Sequence, residues 1–327
     1  MNTLYSLRIR PLGPWITPWQ ADTLAGMLCH TAASTHGHDW LQRNIIHPAL
    51  HNQPPFVLSD PTPADMLPIP LWLRLHPWPE EHRKRARKAR WLAPDTFSTV
   101  RTGQPPPPQQ LIPEQNVLRT TSRLRNAIDR SNNTTLTHAG LFARREHWLD
   151  TTHPAVANAP WLTLYLRVQP AFLEDLLHLI DELSLVGYGE DARMGMGAFQ
   201  RISPPQPATF HNQLPHLPNC TPALLSLSTF QPGHADPTKG MWETFVKYGR
   251  LGPALGLDDV RKRPLILFRP GACLIAAEPK PWIGRAVPPA DLLPPQTLAH
   301  LAQKAVAPIH YAFGLTMPIN IPTELCP

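Results

Sequence analysis

A glycine-rich segment near the middle of the chain has the composition of a ligand-binding loop. Gly187, Gly189, Gly195 and Gly197 fall within eleven residues, and Arg193 lies among them. Glycine permits positive φ angles and a close approach of the backbone to a partner, at a cost in conformational entropy. Exposed amides in such loops bind anions, so the composition first suggests a phosphate-binding loop.

The order of elements around this loop argues against the common nucleotide-binding loops. A P-loop or a Rossmann fingerprint runs from strand through loop to helix. Here residues 161–168 alternate as a half-buried strand, and residues 170–183 have the periodicity of an amphipathic helix that leads into the loop. The sequence contains no Gly-Lys-Ser/Thr, so an ATPase is not expected.

Composition sets wider limits. The 327 residues are enough for two domains that each bury a core. Thirty Lys and Arg against 24 Asp and Glu give a net charge of +6, which favours a polyanionic partner, and 42 prolines favour rigid loops and short elements. No apolar run is long enough to span a bilayer and the N-terminus does not resemble a signal peptide, so we expect a cytoplasmic protein without a membrane partner.

Metal and redox chemistry have little support in the sequence. The four cysteines lie far apart without a Cys-x-x-Cys spacing, so neither a zinc site nor a disulfide framework is expected. His36 and His38 could offer imidazoles to a metal, but the nearby Cys29, His30 and Asp39 are isolated rather than clustered. We therefore expect no metal and no cofactor.

Two unusual segments lie in the first half, within a predicted insertion at about residues 54–115. The run Glu80–Arg90 is strongly basic, and Gln104–Gln109 forms a polyproline spacer typical of a projecting loop. The basic run fits either a solvated helical face or an arm that docks on nucleic acid or on a protein partner. The sequence leaves both interpretations open.

The remaining patterns predict two similar halves. Each half starts with an alternating strand, at residues 4–12 and 224–230, and ends on another, at residues 199–202 and 309–317. Residues 265–268 and 272–276 flank a turn and are predicted to form a hairpin. The order strand, helix, strands, helix, strand predicts an α+β fold.

We therefore predict two ferredoxin-like, RRM-like domains with antiparallel sheets, at residues 1–206 and 207–327. The glycine-rich loop would follow the second helix of the first domain. The open face of such a sheet binds RNA in the RRM, which shares this topology.

Several short motifs, taken in their order along the chain, resemble those of one family. In that order they are Trp19 with Asp22, Thr23 and Gly26, then Pro55–Asp60, Leu67–Pro70, Arg125–Arg130, Leu141 with Phe142, Gly187–Phe199, Leu227 with Ser228, Lys247–Gly252, Arg263 with Pro264, and Ile283–Arg285. Together they resemble the RAMP-family subunit four of the Csm complex, the type III-A CRISPR effector of antiviral defence. The resemblance runs nearly end to end.

That resemblance implies a function. It implies two ferredoxin-like domains that hold the repeat-derived 5′ handle of the guide RNA, contacts with the large polymerase-like subunit and the backbone RAMP subunit, and no catalysis by this subunit. Family members usually have a lysine or serine within the glycine loop, where this chain has Glu190 and Ala192. Arg193 is then the only cation of the loop.

The implied role predicts particular RNA contacts. The amides of Gly195 and Gly197 and the guanidinium of Arg193 would meet phosphates or 2′-hydroxyls. Asn126 and Arg130 share one face of a strand, so we expect them near the RNA; the alternative is an internal network with Asp129 as partner of an arginine.

The second half adds a mixture of cations and a stacking ring. Lys247, Tyr248 and Arg250 fit single-stranded RNA, and a packed tyrosine with snorkelling basic neighbours is the alternative. The full set of predicted RNA contacts is Arg125, Asn126, Arg130, Gly187, Gly189, Arg193, Met194, Gly195, Gly197, Lys247, Tyr248, Arg250 and Arg285.

Two other functions remain open. A guide-processing endoribonuclease of the same superfamily would use a histidine or tyrosine as general base on a 2′-hydroxyl. Its glycine-rich loop would be expected near the C-terminus, whereas this loop lies in the middle of the chain. A scaffold that binds only proteins through its basic surface is the second alternative.

Overall fold

The computed structural model describes residues 3–136, 140–208, 214, 217–251, 261–303 and 307–327. It is a mixed α+β fold in which every strand pair among those residues is antiparallel. In chain order the first part contains β1 (Leu4–Pro11), α1 (Ala21–Thr35), α2 (His38–Leu41), α3 (His47–Leu50), β2 (Phe56–Leu58), β3 (Thr62–Pro63), β4 (Leu67–Pro68), α4 (Trp72–Leu75), α5 (Glu80–Lys88), β5 (Ala89–Leu92), α6 (Pro94–Val100) and β6 (Ile112–Pro113).

The chain continues with a long hairpin and the end of the first half: β7 (Leu118–Asn126), β8 (Ile128–Asp129), β9 (Thr134–Thr135), β10 (Leu141–Leu149), α7 (Pro154–Ala157), β11 (Leu162–Val168), α8 (Leu173–Val186), β12 (Phe199–Arg201) and β13 (Gln206–Pro207). The second half contains β14 (Cys220–Ser226), β15 (Gly240–Met241), β16 (Thr244–Lys247), β17 (Leu265–Phe268), β18 (Cys273–Ile275), β19 (Trp282–Val287), α9 (Pro289–Leu292), α10 (Pro295–Gln303) and β20 (His310–Pro322).

The main sheet of the first half has the strand order β12–β1–β11–β2. Leu7 pairs with Leu164 in its centre, and both side chains are buried. Helices α1 and α8 pack against each other, and α1 buries the stripe of Leu24, Ala25 and Leu28 that its 3.6-residue period places on one face. The predicted order of strand, helix and loop around residues 161–197 is confirmed, but β11 is buried on both faces and not half-buried as predicted.

The edges of the predicted domains differ from the sheet boundaries. The predicted insertion at 54–115 starts inside the main sheet, because β2 and β3 pair with β11. The sheet also reaches past residue 206, since β13 pairs with β1 and the Ala208 amide donates to the Leu4 carbonyl. The small sheet β4–β5–β6 and helices α4 to α6 form the segment outside the main sheet.

The second half has the sheet order β15–β18–β14–β20–β19, and β16 pairs with β17 separately. The predicted hairpin of 265–268 with 272–276 is wrong, because β17 pairs with β16 while β18 pairs with β14 and β15. Between the predicted strands at 224–230 and 265–268, the described residues 231–251 and 261–264 contain no helix, and residues 252–260 of the span predicted to hold one lie outside the described residues. Prolines interrupt residues 231–239. Asp236 Oδ2 accepts hydrogen bonds from the Gly233 and Gly284 amides, and these bonds hold the segment against β19.

The two halves share one hydrophobic core, which includes Leu28 of α1 and Phe313 of β20. Tyr311 donates a hydrogen bond to the Phe56 carbonyl across this contact. Asp60 accepts bonds from the amides of Ala21 and Thr229 at 2.8 Å each, and so joins the start of α1 to the second half. None of the described helices combines the length and apolar character needed to cross a membrane.

Candidate nucleic-acid interface

The glycine-rich loop begins where α8 ends. Gly187 has φ +93°, which a residue with a Cβ rarely adopts, and it stops the helix at Val186. Tyr188 then turns inward and stacks on Trp19 with ring centroids 3.9 Å apart. Its amide donates to the Gly197 carbonyl at 2.9 Å, which closes the base of the loop. A Cβ on Gly197 would lie 1.9 Å from the Tyr188 carbonyl oxygen, so Gly197 is required for this closure.

The loop amides are used inside the chain. The Gly195 amide donates to the Ala192 carbonyl at 2.9 Å and the Gly197 amide to the Pro14 carbonyl at 2.7 Å, while Gly189 N lies 3.2 Å from the Met27 sulfur. The prediction that the Gly195 and Gly197 amides meet phosphates is therefore wrong. A backbone donor that already has an internal acceptor has no second proton to give.

Only the tip of the loop faces outward. Arg193, Met194 and Gly195 are exposed, whereas Gly187 and Gly197 are buried. A Cβ on Gly195 would meet nothing within 4 Å. Arg193 makes no ion pair within the described part of the chain, so its guanidinium is available to a ligand.

The β7–β10 hairpin rests against this loop through ion pairs. Arg144 Nη1 lies 2.6 Å from Glu190 Oε1, and Arg125 lies 3.4 Å from an Asp191 oxygen and 3.5 Å from Glu146 Oε1. The loop acids Glu190 and Asp191 thus hold the hairpin arginines. Arg125 is a predicted RNA contact, but 17% exposure and these partners give its side chain a positioning role.

A groove of about 590 Å³ lies between the loop tip, the hairpin and the end of β1. It is lined by Leu12, Gly13, Pro14, Thr121, Ser122, Arg123, Glu146, Trp148, Met194, Gly195 and Met196. The Arg123 side chain is 65% exposed, and its Nη1 lies 3.8 Å from Glu146 Oε1, which is too far for a hydrogen bond. Neither Arg123 nor Trp148 was predicted as a site residue. For Arg123, the mixture of polar and basic residues along 118–126 is a signal that could have found it, because it is typical of an exposed ribbon.

The tip of the hairpin carries the next two predicted residues. Asn126 Nδ2 is 3.4 Å from Thr135 Oγ1, and Arg130 is exposed. The alternative role for Asp129, as partner of an arginine, is wrong: its carboxylate accepts bonds from the Ser131 amide and hydroxyl, and these bonds lower the pKa of Asp129. Neighbouring Leu124 and Ile128 are exposed, so the ribbon projects from the body of the protein.

The predicted contacts in the second half lie apart from the groove. Lys247 Nζ donates to Asp22 at 2.7 Å, Gln20 at 2.8 Å and Thr23 at 2.6 Å, so it links β16 to the start of α1. Tyr248 and Arg250 are exposed, and Arg285 lies 3.5 Å from Asp291. Gly252, at the end of this motif, lies outside the described residues.

The Asp22 carboxyl is the electrostatic centre of that link. Its side chain is fully buried, and burial alone would raise its pKa; the bond with His310 at 3.0 Å and the Lys247 charge outweigh this and lower the pKa to about 2. Burial lowers the pKa of His310. Asp60, near the same helix start, has its pKa raised by burial to about 6.

Over the described ranges, no three His, Cys, Asp or Glu side chains lie close enough together to hold a metal ion. His36, one of the two imidazoles considered as metal ligands, stacks on Trp40 with ring centroids 4.5 Å apart.

Comparisons with solved structures bear on the fold as a whole. The chain is similar to a chain of a Csm1–Csm4 cassette in complex with AMPPNP, with a TM-score of 0.57 and 15% identity over 98% of this chain and 99% of that one. The same cassette in complex with cA3 gives a TM-score of 0.57 and 16% identity over 98% of each chain. A chain of a Csm3–Csm4 subcomplex from the type III-A CRISPR-Cas interference complex gives 0.54 and 12% identity over 86% and 94%.

Csm4 is the subunit that both kinds of complex share, and the chain has a Csm4-like RAMP fold over nearly its whole length. The resemblance carried by the motifs is confirmed at the level of the fold. No protein-family model and no curated protein matches this sequence.

Proposed function

We propose that the chain is a non-catalytic RNA-binding subunit of a type III-A CRISPR effector complex in antiviral defence. It holds the 5′ handle of the guide RNA and bridges the large polymerase-like subunit and the backbone RAMP subunit in the cytoplasm. The observation that carries this proposal is the end-to-end fold likeness to chains from both Csm1–Csm4 and Csm3–Csm4 assemblies. In those assemblies Csm4 is paired with Csm1 and with Csm3, which supports the two proposed partners.

Two ferredoxin-like domains provide the scaffold in this proposal. The order β12–β1–β11–β2 supports the assignment for the first half, because in that fold the first strand lies between the third and the fourth. In the second half, β20–β14–β18–β15 repeats this order, with β19 added beside β20 and without a helix after β14 in the described residues.

The groove supports recognition of an RNA backbone. Arg123 lines the groove on the hairpin side, and the exposed Arg193 directly precedes the loop residues Met194, Gly195 and Met196 that line it as well. Guanidinium groups bind phosphate with paired hydrogen bonds, and the half-buried Trp148 adds an aromatic ring to the lining. The volume of about 590 Å³ is within the range of small-ligand pockets. Arg125 and Arg144 hold the two walls together rather than contacting the RNA.

The absence of catalysis is part of this proposal, and a cleavage assay with precursor RNA tests it. Among its described lining residues the groove has one acidic side chain. The acid in that lining, Glu146, lies beside Arg123 and Arg125. Its carboxylate is thus placed to orient the hairpin arginines.

Handle binding tests the proposal. The full chain is titrated with handle RNA and with a scrambled RNA of equal length, as wild type and as Arg123→Gln/Arg193→Gln. We expect the double variant to bind handle RNA at least about tenfold more weakly, because each lost charge-assisted bond contributes on the order of 1.5 kcal/mol. Arg43→Gln/Lys239→Gln removes the same charge from exposed positions on other elements and serves as the matched control.

Equal binding of handle and scrambled RNA by the wild type would refute handle recognition. Specific cleavage of precursor RNA by the chain alone would establish the endoribonuclease alternative instead. If RNA does not bind at all while the partner subunits still assemble, the protein-only scaffold is correct.

A further inference from the structure

Helix α5 presents a cationic face that the groove does not use. The helix spans Glu80–Lys88, and Arg83, Lys84, Arg87 and Lys88 are exposed. At 100° per residue these four side chains fall within one side of the helix, opposite the buried Ala86. Acidic residues occur only in its first turn, at Glu80 and Glu81.

The end of the polyproline spacer contacts the inner side of this helix. Arg85, the cation on the inner side, donates to the Gln109 carbonyl at 2.7 Å and the Leu111 carbonyl at 3.0 Å. Pro106 is buried in the same contact region, and a proline segment loses little freedom on docking because its φ angles are fixed. The spacer therefore acts as a strut that fixes the orientation of the basic face, not as a projecting loop.

The positive surface continues beyond the helix. Arg90 follows in β5, and the Ile69 amide donates to the Arg90 carbonyl at 3.0 Å. The Leu71 amide donates to the Gly271 carbonyl at 2.9 Å, which brings Arg269 and its turn against α4. Burial and then the charges of Arg90 and Arg269 lower the pKa of Arg74 to about 10.

We call the exposed cations of α5, together with Arg90, the basic strip. Few acidic residues lie near this strip, and two of them have partners of their own. Glu243 pairs with Arg74, and Glu81 lies 3.9 Å from His82. Lys84, Arg87 and Lys88 form no ion pair with any described residue. The strip thus has an excess of positive charge that nothing within the described chain neutralises.

The composition of this face selects its partner. Between residues 80 and 90 every exposed side chain is charged, and no large apolar residue is exposed there. Protein interfaces have apolar or aromatic centres from which lysine is depleted, whereas a phosphate backbone needs no apolar contact and is neutralised by lysine and arginine side chains.

We propose that the outer face of α5, with Arg90 two residues beyond its end, is a second RNA-binding surface that holds a phosphate backbone without reading its sequence. It lies outside the groove of the proposed function and needs no handle sequence.

The salt dependence of RNA binding tests this surface. The full chain is titrated with polyuridine RNA over a series of salt concentrations, as wild type and as Lys84→Gln/Arg87→Gln/Lys88→Gln. Each lost phosphate contact reduces the slope of log affinity against log salt by about 0.7 for a single strand, so three contacts reduce it by about 2. Between about 50 and 200 mM salt, the wild type then loses about 20-fold more affinity than the variant.

A matched variant, Arg10→Gln/Arg43→Gln/Lys239→Gln, removes three exposed cations from other elements and should keep the wild-type slope. Thermal melting of all variants checks that α5 still folds. An α5 variant with an unchanged slope would overturn the proposal, and so would an equal loss of slope in the matched variant. If polyglutamate, but not polyuridine, binds in an α5-dependent way, the surface is a protein-docking site and the proposal is wrong.

The test of the α5 surface and the test of the function proposed above can fail independently. Loss of preference for handle RNA over scrambled RNA tests the groove, and the polyuridine slope tests α5. A wild type that shows no handle preference but keeps an α5-dependent slope would refute the first proposal and support the second.

Discussion

The ion pair between Lys247 and Asp22 makes a sharp prediction about stability. Asp22 is fully buried and Lys247 is 20% exposed, and they join the first helix to β16 of the second half. Lowering the Asp22 pKa from 3.8 to about 2 corresponds to about 2 kcal/mol of stabilisation, net of the cost of burial. Removing the ammonium leaves that cost compensated by His310 but not by the Lys247 charge, so Lys247→Met should lower the free energy of unfolding by about 3–5 kcal/mol.

Denaturant unfolding of the full chain measures this loss. Asp22→Asn/Lys247→Met should lose less than the single Lys247→Met variant, because the double variant buries no uncompensated charge. A pH series adds a second readout. The folded Asp22 pKa lies below its unfolded value, so its contribution is complete above about pH 4 and is lost as the pH falls towards 2.

The stability of the Lys247→Met variant can also contradict a structural role for this ion pair. A Lys247→Met variant that loses less than about 1 kcal/mol, an amount typical of exposed pairs, would show that the ion pair is not a structural link. If the same variant instead lost RNA affinity at unchanged stability, Lys247 would be an RNA contact, as the motif originally suggested.

Two further predictions concern the loop and the buried Asp60. Gly197→Ala should prevent closure of the glycine loop and destabilise the fold by several kcal/mol, whereas Gly195→Ala should cost only about 1 kcal/mol of left-handed backbone strain, as thermal melting can measure; equal effects would contradict the loop geometry. Asp60 has a folded pKa of about 6, above its unfolded value of 3.8, so its contribution is complete below about pH 4 and about 3 kcal/mol is lost by about pH 6. Asp60→Asn should remove that slope from the pH series, and an unchanged slope would assign it to another group.

Local patterns along the sequence were sufficient for the elements around the loop. Alternation of apolar residues at 161–168 and the 3.6-residue stripe at 173–183 predict β11 and α8, and the glycines after them predict a break. These features depend on interactions within a few residues. The same logic failed for residues 265–276, where the turn signal is real but β17 and β18 belong to different sheets.

Local sequence could not predict which amides and side chains have partners inside the folded chain. Four glycines suggest free amides, but Gly197 N finds its acceptor at Pro14, far along the chain. Arg125 looks like an RNA contact until Asp191 and Glu146 are placed beside it. The polyproline spacer looks like a projecting loop until Arg85 is seen to hold it.

The sequence by itself determined the periods of its strands and helices, the positive charge and the family resemblance, because these depend on residue type and spacing. The tertiary structure alone decided which groups remain available to a ligand. Lys247 meets Asp22 across 225 residues of sequence, and Arg144 meets Glu190 only once the hairpin folds onto the loop. Ion pairs and hydrogen bonds form only between groups that lie within a few ångströms of each other, so which groups pair depends on their distance in the folded chain. Arg193 and the α5 cations Lys84, Arg87 and Lys88 are exposed and form no ion pair with any described residue, and Arg123 has only its 3.8 Å contact with Glu146.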